Sequence, residues 1–113
     1  MENKSVFLEV FGDYPLNRVL DFLIVYEDFD YSMKEIAKKS GVGYSTLKLF
    51  WGDLVKYKIV KQTRAIGKAK LYKLNIVNPI VQKFKNFYWT VTKVEIDKYL
   101  VKENLKEAIK LKH

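Results

Sequence analysis

Residues 32–51 constrain the fold of this chain more than any other stretch. Ser32 is followed three residues later by Glu35, which is the spacing of a capping box. Gly41 marks the predicted end of this first helix. The residue that ends a helix often adopts a left-handed conformation, and glycine adopts it at the lowest energetic cost. A second helix is predicted over 44–57. The stretch therefore predicts two helices joined by a tight glycine turn.

The spacing of small and apolar residues across this turn indicates how the two helices cross. Helices on a short turn can cross steeply only where the facing residue is small, and Ala37 is that residue. Four apolar positions are expected in the shared core: Ile36, Val42, Leu47 and Phe50. The pattern resembles the helix-turn-helix motif of DNA-binding proteins. The alternative is an ordinary helical hairpin that binds nothing.

Positive charge is concentrated on this motif and on the segment directly after it. The chain has 113 residues and a net charge of +8, enough for one domain with a modest core. The net charge is −5 over residues 1–31, +9 over 32–75 and +4 over 76–113. A basic face attracts polyanions and releases their counterions, which is the main sequence-independent source of nucleic-acid affinity. A merely solubilising surface is the alternative.

Composition leaves little room for enzymatic chemistry. The chain has no cysteine, and its single histidine is the last residue, His113. Disulfides, thiolate metal sites and a Ser-His-Asp triad are therefore excluded, and we expect a non-enzyme without a metal or cofactor. The N-terminus lacks a signal pattern, and no apolar run approaches the roughly eighteen residues of a membrane span. We expect a cytoplasmic protein that does not contact a membrane.

The segment before the motif is expected to supply a scaffold helix. It begins with Asp13 as the predicted N-cap and Pro15 in the first turn. Its apolar stripe is Leu16, Val19, Leu20 and Leu23. Residues 5–11 are compatible with either a strand or a helical turn. The acidic loop, residues 27–30, is predicted to be only a solvated connection.

Periodicity divides the second motif helix into a buried face and an exposed face. The inward stripe is predicted to be Leu47, Phe50, Trp51, Leu54 and Val55. The candidate contacts to DNA on the other side are Tyr44, Ser45, Thr46, Lys48 and Leu49. Gly52 also faces outward, where it either allows close approach of another molecule or relieves crowding beside Trp51. The face lacks arginine, asparagine and glutamine, so direct base readout is expected to be weak.

A β-hairpin is predicted directly after this helix. Residues 59–64 and 70–75 have strand composition, and 65–69 form the loop between them. No acidic residue occurs from Val55 to Val94. The hairpin is therefore predicted to lie on phosphates or in the minor groove through Lys61, Arg64, Lys68 and Lys70. Ile66 is expected to pack under the loop.

More than half of the chain resembles one family. The residues that carry the resemblance are Gly12-Asp13-Tyr14-Pro15, the helix-turn-helix, residues 64–75, and Asn78-Pro79-Ile80-Val81. They are similar to winged helix-turn-helix transcriptional regulators of the archaeal, MarR/ArsR-like type. The resemblance implies a major-groove helix, a wing on the flanking backbone and a dimer on a two-fold site. It implies contact roles for Tyr44, Ser45, Lys48, Arg64 and Lys68, but the metal-sensing cysteine and histidine cluster known among ArsR-like proteins is missing.

The C-terminal segment is predicted to be helical and to carry a partner surface. Apolar residues recur at heptad spacing from Ile80, with Lys98 as the one charged interruption. Homodimerisation is predicted through Phe84, Phe87, Tyr88, Val91 and Val94. Folding back onto the scaffold helix is the alternative. The β-branched run 90–92 is a possible break, and the tail 102–113 is expected to fray.

Together these features predict a mainly helical α+β protein. Its predicted units are a winged helix-turn-helix domain over 1–78 and a helical dimerisation extension over 79–113. The predicted function is sequence-preferring binding of double-stranded DNA by a transcriptional regulator, with no prediction for a small-molecule effector. The alternatives are a winged-helix protein-interaction module and a non-specific architectural DNA-binding protein.

Overall fold

A computed structural model describes residues 4–111, which form five helices and one three-stranded antiparallel sheet. The helices are α1 Val6–Phe11, α2 Pro15–Val25, α3 Met33–Ser40, α4 Tyr44–Lys56 and α5 Pro79–Leu111. The strands are β1 Tyr31–Ser32, β2 Val60–Ile66 and β3 Ala69–Leu74, in the order β1-β3-β2. The mainly helical α+β class is confirmed. The prediction about His113 falls outside the described residues.

The capped helix and glycine turn form as the sequence predicts. Ser32 Oγ accepts from the Glu35 backbone N–H at 3.2 Å, and Glu35 Oε1 accepts from the Ser32 N–H at 3.0 Å. Gly41 has a φ of 72°, and its N–H donates to the carbonyls of Ala37 and Lys38. This left-handed residue ends α3 and lets the chain restart as α4 three residues later.

The core lies where α2, α3 and α4 meet the sheet and the start of α5. Its side chains include Val19, Leu23, Ile36, Ala37, Leu47, Trp51, Leu74 and Val81. Two predicted core positions are wrong, because Leu16 is 39% exposed and Val55 is 45% exposed. The buried side of α4 centres on Leu47, Trp51 and Leu54, so Val55 is turned about 100° away from Leu54.

The start of the scaffold helix differs from the prediction. Tyr14 is the N-cap residue of α2, without a side-chain cap, and Pro15 is the first helical residue. Asp13 does not cap the helix, because its carboxylate accepts from Arg18 Nε at 2.5 Å and from Arg18 Nη2 at 3.1 Å. The preceding residues form the short helix α1, whose cap is Ser5.

The hairpin has longer strands and a tighter loop than predicted. Ile66 pairs with Ala69, so the loop is only Gly67 and Lys68, and Gly67 has a φ of 60°. Glycine with positive φ at the first loop position is typical of a type II′ turn. Ile66 is 59% exposed, so the expectation that it packs under the loop is wrong. The pairing of β1 with β3 was not predicted, because two residues carry no periodic signal.

The C-terminal segment is one helix, α5, without a break at residues 90–92. Thr90 Oγ1 donates to the Asn86 carbonyl and Thr92 Oγ1 to the Tyr88 carbonyl, so both threonines bond within the helix. Helix also continues through the part of the tail that the structure describes, up to Leu111, where fraying was expected. None of the described helices combines the length and apolarity required to span a membrane.

The first half of α5 packs on its own chain. The Phe7 ring lies 5.6 Å from Phe84 and 5.3 Å from Tyr88, centroid to centroid. The Tyr88 hydroxyl donates to Asp21 Oδ1 on α2 at 2.5 Å. Burial and this carboxylate together raise the pKa of Tyr88 far above its ordinary value. This half of α5 therefore folds back on α1 and α2, which is the alternative considered for the segment.

Candidate nucleic-acid interface

The exposed side of α4 is a stripe of four residues, which we call the α4 face: Ser45, Lys48, Leu49 and Gly52. Their spacing of three and four residues places them on one side of the helix. Leu49 is 83% exposed, although it is a leucine in the middle of a helix whose other leucines are buried. Thr46 lies at the flank and is partly buried. These four residues therefore form one solvent-facing stripe along α4.

Tyr44 stands at the start of α4 between two lysines. Lys48 Nζ lies 4.7 Å from the centroid of its ring and Lys34 Nζ lies 5.8 Å away. The N-terminus of α4 has neither a side-chain cap nor an acidic residue in its first turn. The first backbone N–H groups and the positive dipole end of α4 therefore lie beside Tyr44 and its two lysines, an arrangement that favours an anion.

The wing, defined as β2, β3 and their loop, presents its basic side chains to solvent. Lys61, Lys68 and Lys70 are all exposed. Lys61 lies directly opposite Lys73 in the antiparallel pair. Like charges at opposite positions destabilise a sheet, so this pair costs stability unless an anion lies beside it.

The lysines of the motif and wing have no acidic partners, which distinguishes them from those of α5. Residues 32–75 contain ten lysines, and none of them forms an ion pair within residues 4–111. On α5, by contrast, four lysines pair with carboxylates: Lys85, Lys93, Lys98 and Lys106. The positive charge of the motif and wing is thus not balanced inside the described chain.

Arg64 differs from these lysines because it has an acidic partner, which comes from the acidic loop at residues 27–30. Arg64 Nε and Nη2 donate to the two oxygens of Asp30 at 3.0 and 3.2 Å. The guanidinium lowers the pKa of Asp30 to about 2, and the carboxylate raises the pKa of Arg64. At the other end of the loop, Glu27 accepts from Lys85 at 2.6 Å. The prediction that this loop is only a solvated connection is wrong.

The residues predicted for dimerisation divide between the core and the surface. Tyr88 is 2% exposed and Phe84 is partly buried against the core, so both contribute to packing within the chain. The prediction for Tyr88 needs correction, since its buried side chain cannot lie on a partner surface. Phe87 and Val94 are exposed, and Val91 is partly so.

Two residues that lie beside Tyr44 or the α4 face were not identified from the sequence. Lys34 comes from α3 but reaches the Tyr44 ring, which only the crossing of the two helices reveals. Asp53 is an exposed carboxylate one turn beyond Leu49 on α4. Helical spacing could have placed it beside the α4 face. A carboxylate at this position can accept from the amino group of cytosine.

Comparison with known proteins adds structural neighbours. No protein-family model and no curated protein matches the chain. Among solved structures, it is similar to MepR, a transcription regulator of the Staphylococcus aureus multidrug efflux pump MepA, with 15% identity and a TM-score of 0.55. The match covers 84% of this chain and 76% of MepR.

Two further solved structures align over most of this chain. The adhesin competence repressor AdcR of Streptococcus pyogenes has 14% identity, a TM-score of 0.56, and coverage of 94% of this chain and 83% of its own. Wild-type ZitR of Lactococcus lactis, solved in complex with DNA, has 16% identity, a TM-score of 0.53, and coverage of 82% of this chain and 66% of its own. At such identities the likeness concerns the fold, and the archaeal type remains a prediction. The chain has the winged helix-turn-helix fold of these regulators.

Proposed function

We propose that the protein is a dimeric transcriptional regulator that binds double-stranded DNA with a preference for sequence. The observation that carries the proposal is the set of ten lysines on the motif and wing that have no carboxylate partner within residues 4–111. An unbalanced basic surface around an exposed helix matches the charge and shape of a duplex. The likeness to ZitR, solved in complex with DNA, supports the same choice of partner.

In this proposal the α4 face enters the major groove. Lys48 donates to a guanine edge or a phosphate, Ser45 to a phosphate or base, and Leu49 contacts a thymine methyl group. Tyr44 and Thr46 contact the backbone at the groove edge. Leu49 supports this docking because its side chain is 83% exposed and so adds little to packing within the chain.

The wing lies beside the same site. Lys61, Arg64, Lys68 and Lys70 neutralise phosphates of the flanking backbone or enter the minor groove. The Lys61 and Lys73 pair supports this placement, since a phosphate between two opposed lysines removes their repulsion. No step of bond making or breaking is required, so the protein acts by occupancy of a site.

Dimerisation is assigned to the exposed apolar stripe of α5, which runs into the second half of the helix. Its residues continue the heptad spacing, with Phe87 45% and Val94 46% exposed in the first half and Val101 58% and Leu105 59% exposed in the second half. Helices gain most of their stability from packing of an apolar face, and this half extends away from the core of a molecule 66 Å long. A second copy of α5 would cover these side chains. Residues 1–78 are then the DNA-binding unit and 79–113 the extension that sets the spacing of two half-sites.

The contact assignment is tested by alanine variants in a bandshift titration. We expect Lys48→Ala, Arg64→Ala and Lys68→Ala each to weaken binding severalfold, and each to make the salt dependence shallower by about 0.9 per lost phosphate contact. Lys83→Ala is the matched control, because Lys83 is exposed on α5 and lies outside the motif and wing. Unchanged affinity in all three variants at low salt would reject the assigned face.

The dimer is tested separately by sedimentation velocity. Wild type is expected to sediment as a dimer, and Val94→Glu to shift it toward the monomer by placing a charge in the apolar stripe. Lys102→Glu changes an exposed position outside the stripe and should leave the dimer intact. A wild-type monomer at all concentrations would contradict the assignment of α5.

Non-specific architectural binding is the second candidate. It is favoured by one observation: among the residues of the α4 face, only Ser45 and Lys48 offer polar groups to bases. Footprinting on genomic fragments separates the two functions, since a regulator protects discrete sites and an architectural protein protects DNA uniformly.

A further inference from the structure

The wing arginine is fixed by a residue distant in sequence. Asp30 holds Arg64 through two hydrogen bonds, at 3.0 Å to Nε and 3.2 Å to Nη2. Thr63 Oγ1 donates to the same carboxylate at 2.6 Å. The strand pairing skips Thr63, since Gln62 pairs with Tyr72 and Arg64 with Leu71. The bulge at Thr63 thus turns two neighbouring side chains of β2 toward Asp30.

Asp30 occupies only one edge of the guanidinium. An arginine has five N–H groups, and those on Nε and one on Nη2 face the carboxylate. The end formed by Nη1 and the second Nη2 hydrogen has no partner among the described residues, and the side chain is 62% exposed. That end can still donate two parallel hydrogen bonds to a phosphate.

The residue that holds Arg64 is itself anchored. Asp30 directly precedes β1, whose Tyr31 and Ser32 pair with Tyr72 and Leu71 of β3, and its side chain is 17% exposed. The hydrogen bonds from Arg64 and Thr63 lower the pKa of Asp30 from 3.8 to about 2, so the carboxylate stays charged and bound to both side chains well below physiological pH. The contact therefore links the loop to the wing throughout the physiological range.

We propose that Asp30 is a positioning residue for DNA binding, which holds the Arg64 guanidinium with its free end turned outward to a phosphate. This inference rests on the proposed function. The opposite role, a counterion that must leave before DNA can bind, is less consistent with the contacts, because the carboxylate leaves the other edge of the guanidinium open to a phosphate. Holding the side chain in advance reduces the conformational entropy lost on binding.

The two roles predict opposite signs for one substitution. Removing a negative charge near DNA generally tightens binding, whereas removing a positioning residue weakens it. Asp28→Asn is the matched control, because Asp28 lies in the same loop, is exposed, and its side chain makes no ion pair or hydrogen bond within residues 4–111. Relative to Asp28→Asn, we expect Asp30→Asn to raise the Kd for a duplex by about tenfold, or about 1.4 kcal/mol.

The salt dependence of DNA binding distinguishes a positioning role of Asp30 from a loss of the fold. Asp30→Asn should make the salt dependence shallower by about 0.9 per protomer, the same change that is expected of Arg64→Ala. In the Arg64→Ala background, Asp30→Asn should change the affinity no differently from Asp28→Asn. If Asp30→Asn does not fold, Thr63→Val removes the other hydrogen bond to the carboxylate and should weaken binding in the same direction.

The outcomes are distinct. Affinity of Asp30→Asn equal to or tighter than that of Asp28→Asn overturns the inference, as does additivity with Arg64→Ala. If Thr63→Val has to be used, unchanged affinity overturns it equally. Failure of the wild-type protein to bind duplex DNA at low salt rejects the proposed function instead.

Discussion

Gly52 offers a test in which stability and binding should change in opposite directions. It is the ninth residue of α4, which has 13 residues, and it is exposed on the α4 face. Apart from its neighbours Trp51 and Asp53 and the backbone of α4, a Cβ built at Gly52 meets no atom within 4 Å, so no contact with another part of the described chain requires glycine there. Glycine inside a helix costs about 0.8–1.0 kcal/mol relative to alanine. Gly52→Ala should therefore raise the free energy of unfolding by about this amount, and Tm by about 4 °C.

The same methyl group should weaken DNA binding. Gly52 continues the stripe of Ser45, Lys48 and Leu49, so in the proposed complex its backbone lies close to the groove. Overpacking a fitted contact costs about 1–3 kcal/mol, and we expect the Kd to rise by about tenfold. Gly67→Ala is the control for stability, since its φ of 60° makes alanine strained although its Cβ also meets nothing.

Thermal melts and bandshift titrations of the same preparations provide both measurements. A lower Tm for Gly52→Ala would contradict the claim that a methyl group fits at position 52 without a clash. Unchanged DNA affinity would show that the second half of the α4 face does not enter the groove.

Two further predictions concern stability. Tyr88→Phe removes the hydroxyl that donates to Asp21 at 2.5 Å in a side chain only 2% exposed, so the free energy of unfolding should fall by about 1.5–3 kcal/mol; a variant as stable as wild type in urea would contradict this. Arg18 lowers the pKa of Asp13 from its ordinary value of 3.8 to about 2, so the carboxylate stabilises the fold fully above 3.8 and loses this effect as pH falls toward 2. Asp13→Asn should therefore show a smaller loss of Tm across this pH range than wild type, and an equal loss would argue against the Arg18 contact.

The parts of the fold set by local rules could be predicted from the sequence. A capping box, a turn glycine and helical spacing each act over a few residues, so α3, the turn and α4 were predicted almost to the residue. The α4 face followed from the same periodicity. That α5 is a single helix was harder to predict. The β-branched run 90–92 is typical of a helix break, but the hydroxyls of its two threonines bond within the helix.

Side-chain pairings that follow no helical or strand spacing could not be predicted. Asp13 is of a residue type that commonly caps helices, but its carboxylate accepts a hydrogen bond from Arg18 instead. The contact between Asp30 and Arg64 joins residues 34 apart, and it depends on the pairing of β1 with β3. Nothing in the local sequence marks either contact. The outward positions of Ile66 and Val55 likewise depend on how whole elements pack.

The most direct test of the central claim is the salt dependence of duplex DNA binding by the wild-type protein. Five cationic side chains in each protomer are proposed to meet phosphates or base edges: Lys48, Lys61, Arg64, Lys68 and Lys70. Counterion release predicts a slope of log Kobs against log salt of about −0.9 per neutralised phosphate, so about −4.5 per protomer and about −9 for the dimer if all five act on phosphates. A steep negative slope is the predicted result. A slope near zero, or no binding at low salt, would contradict the account.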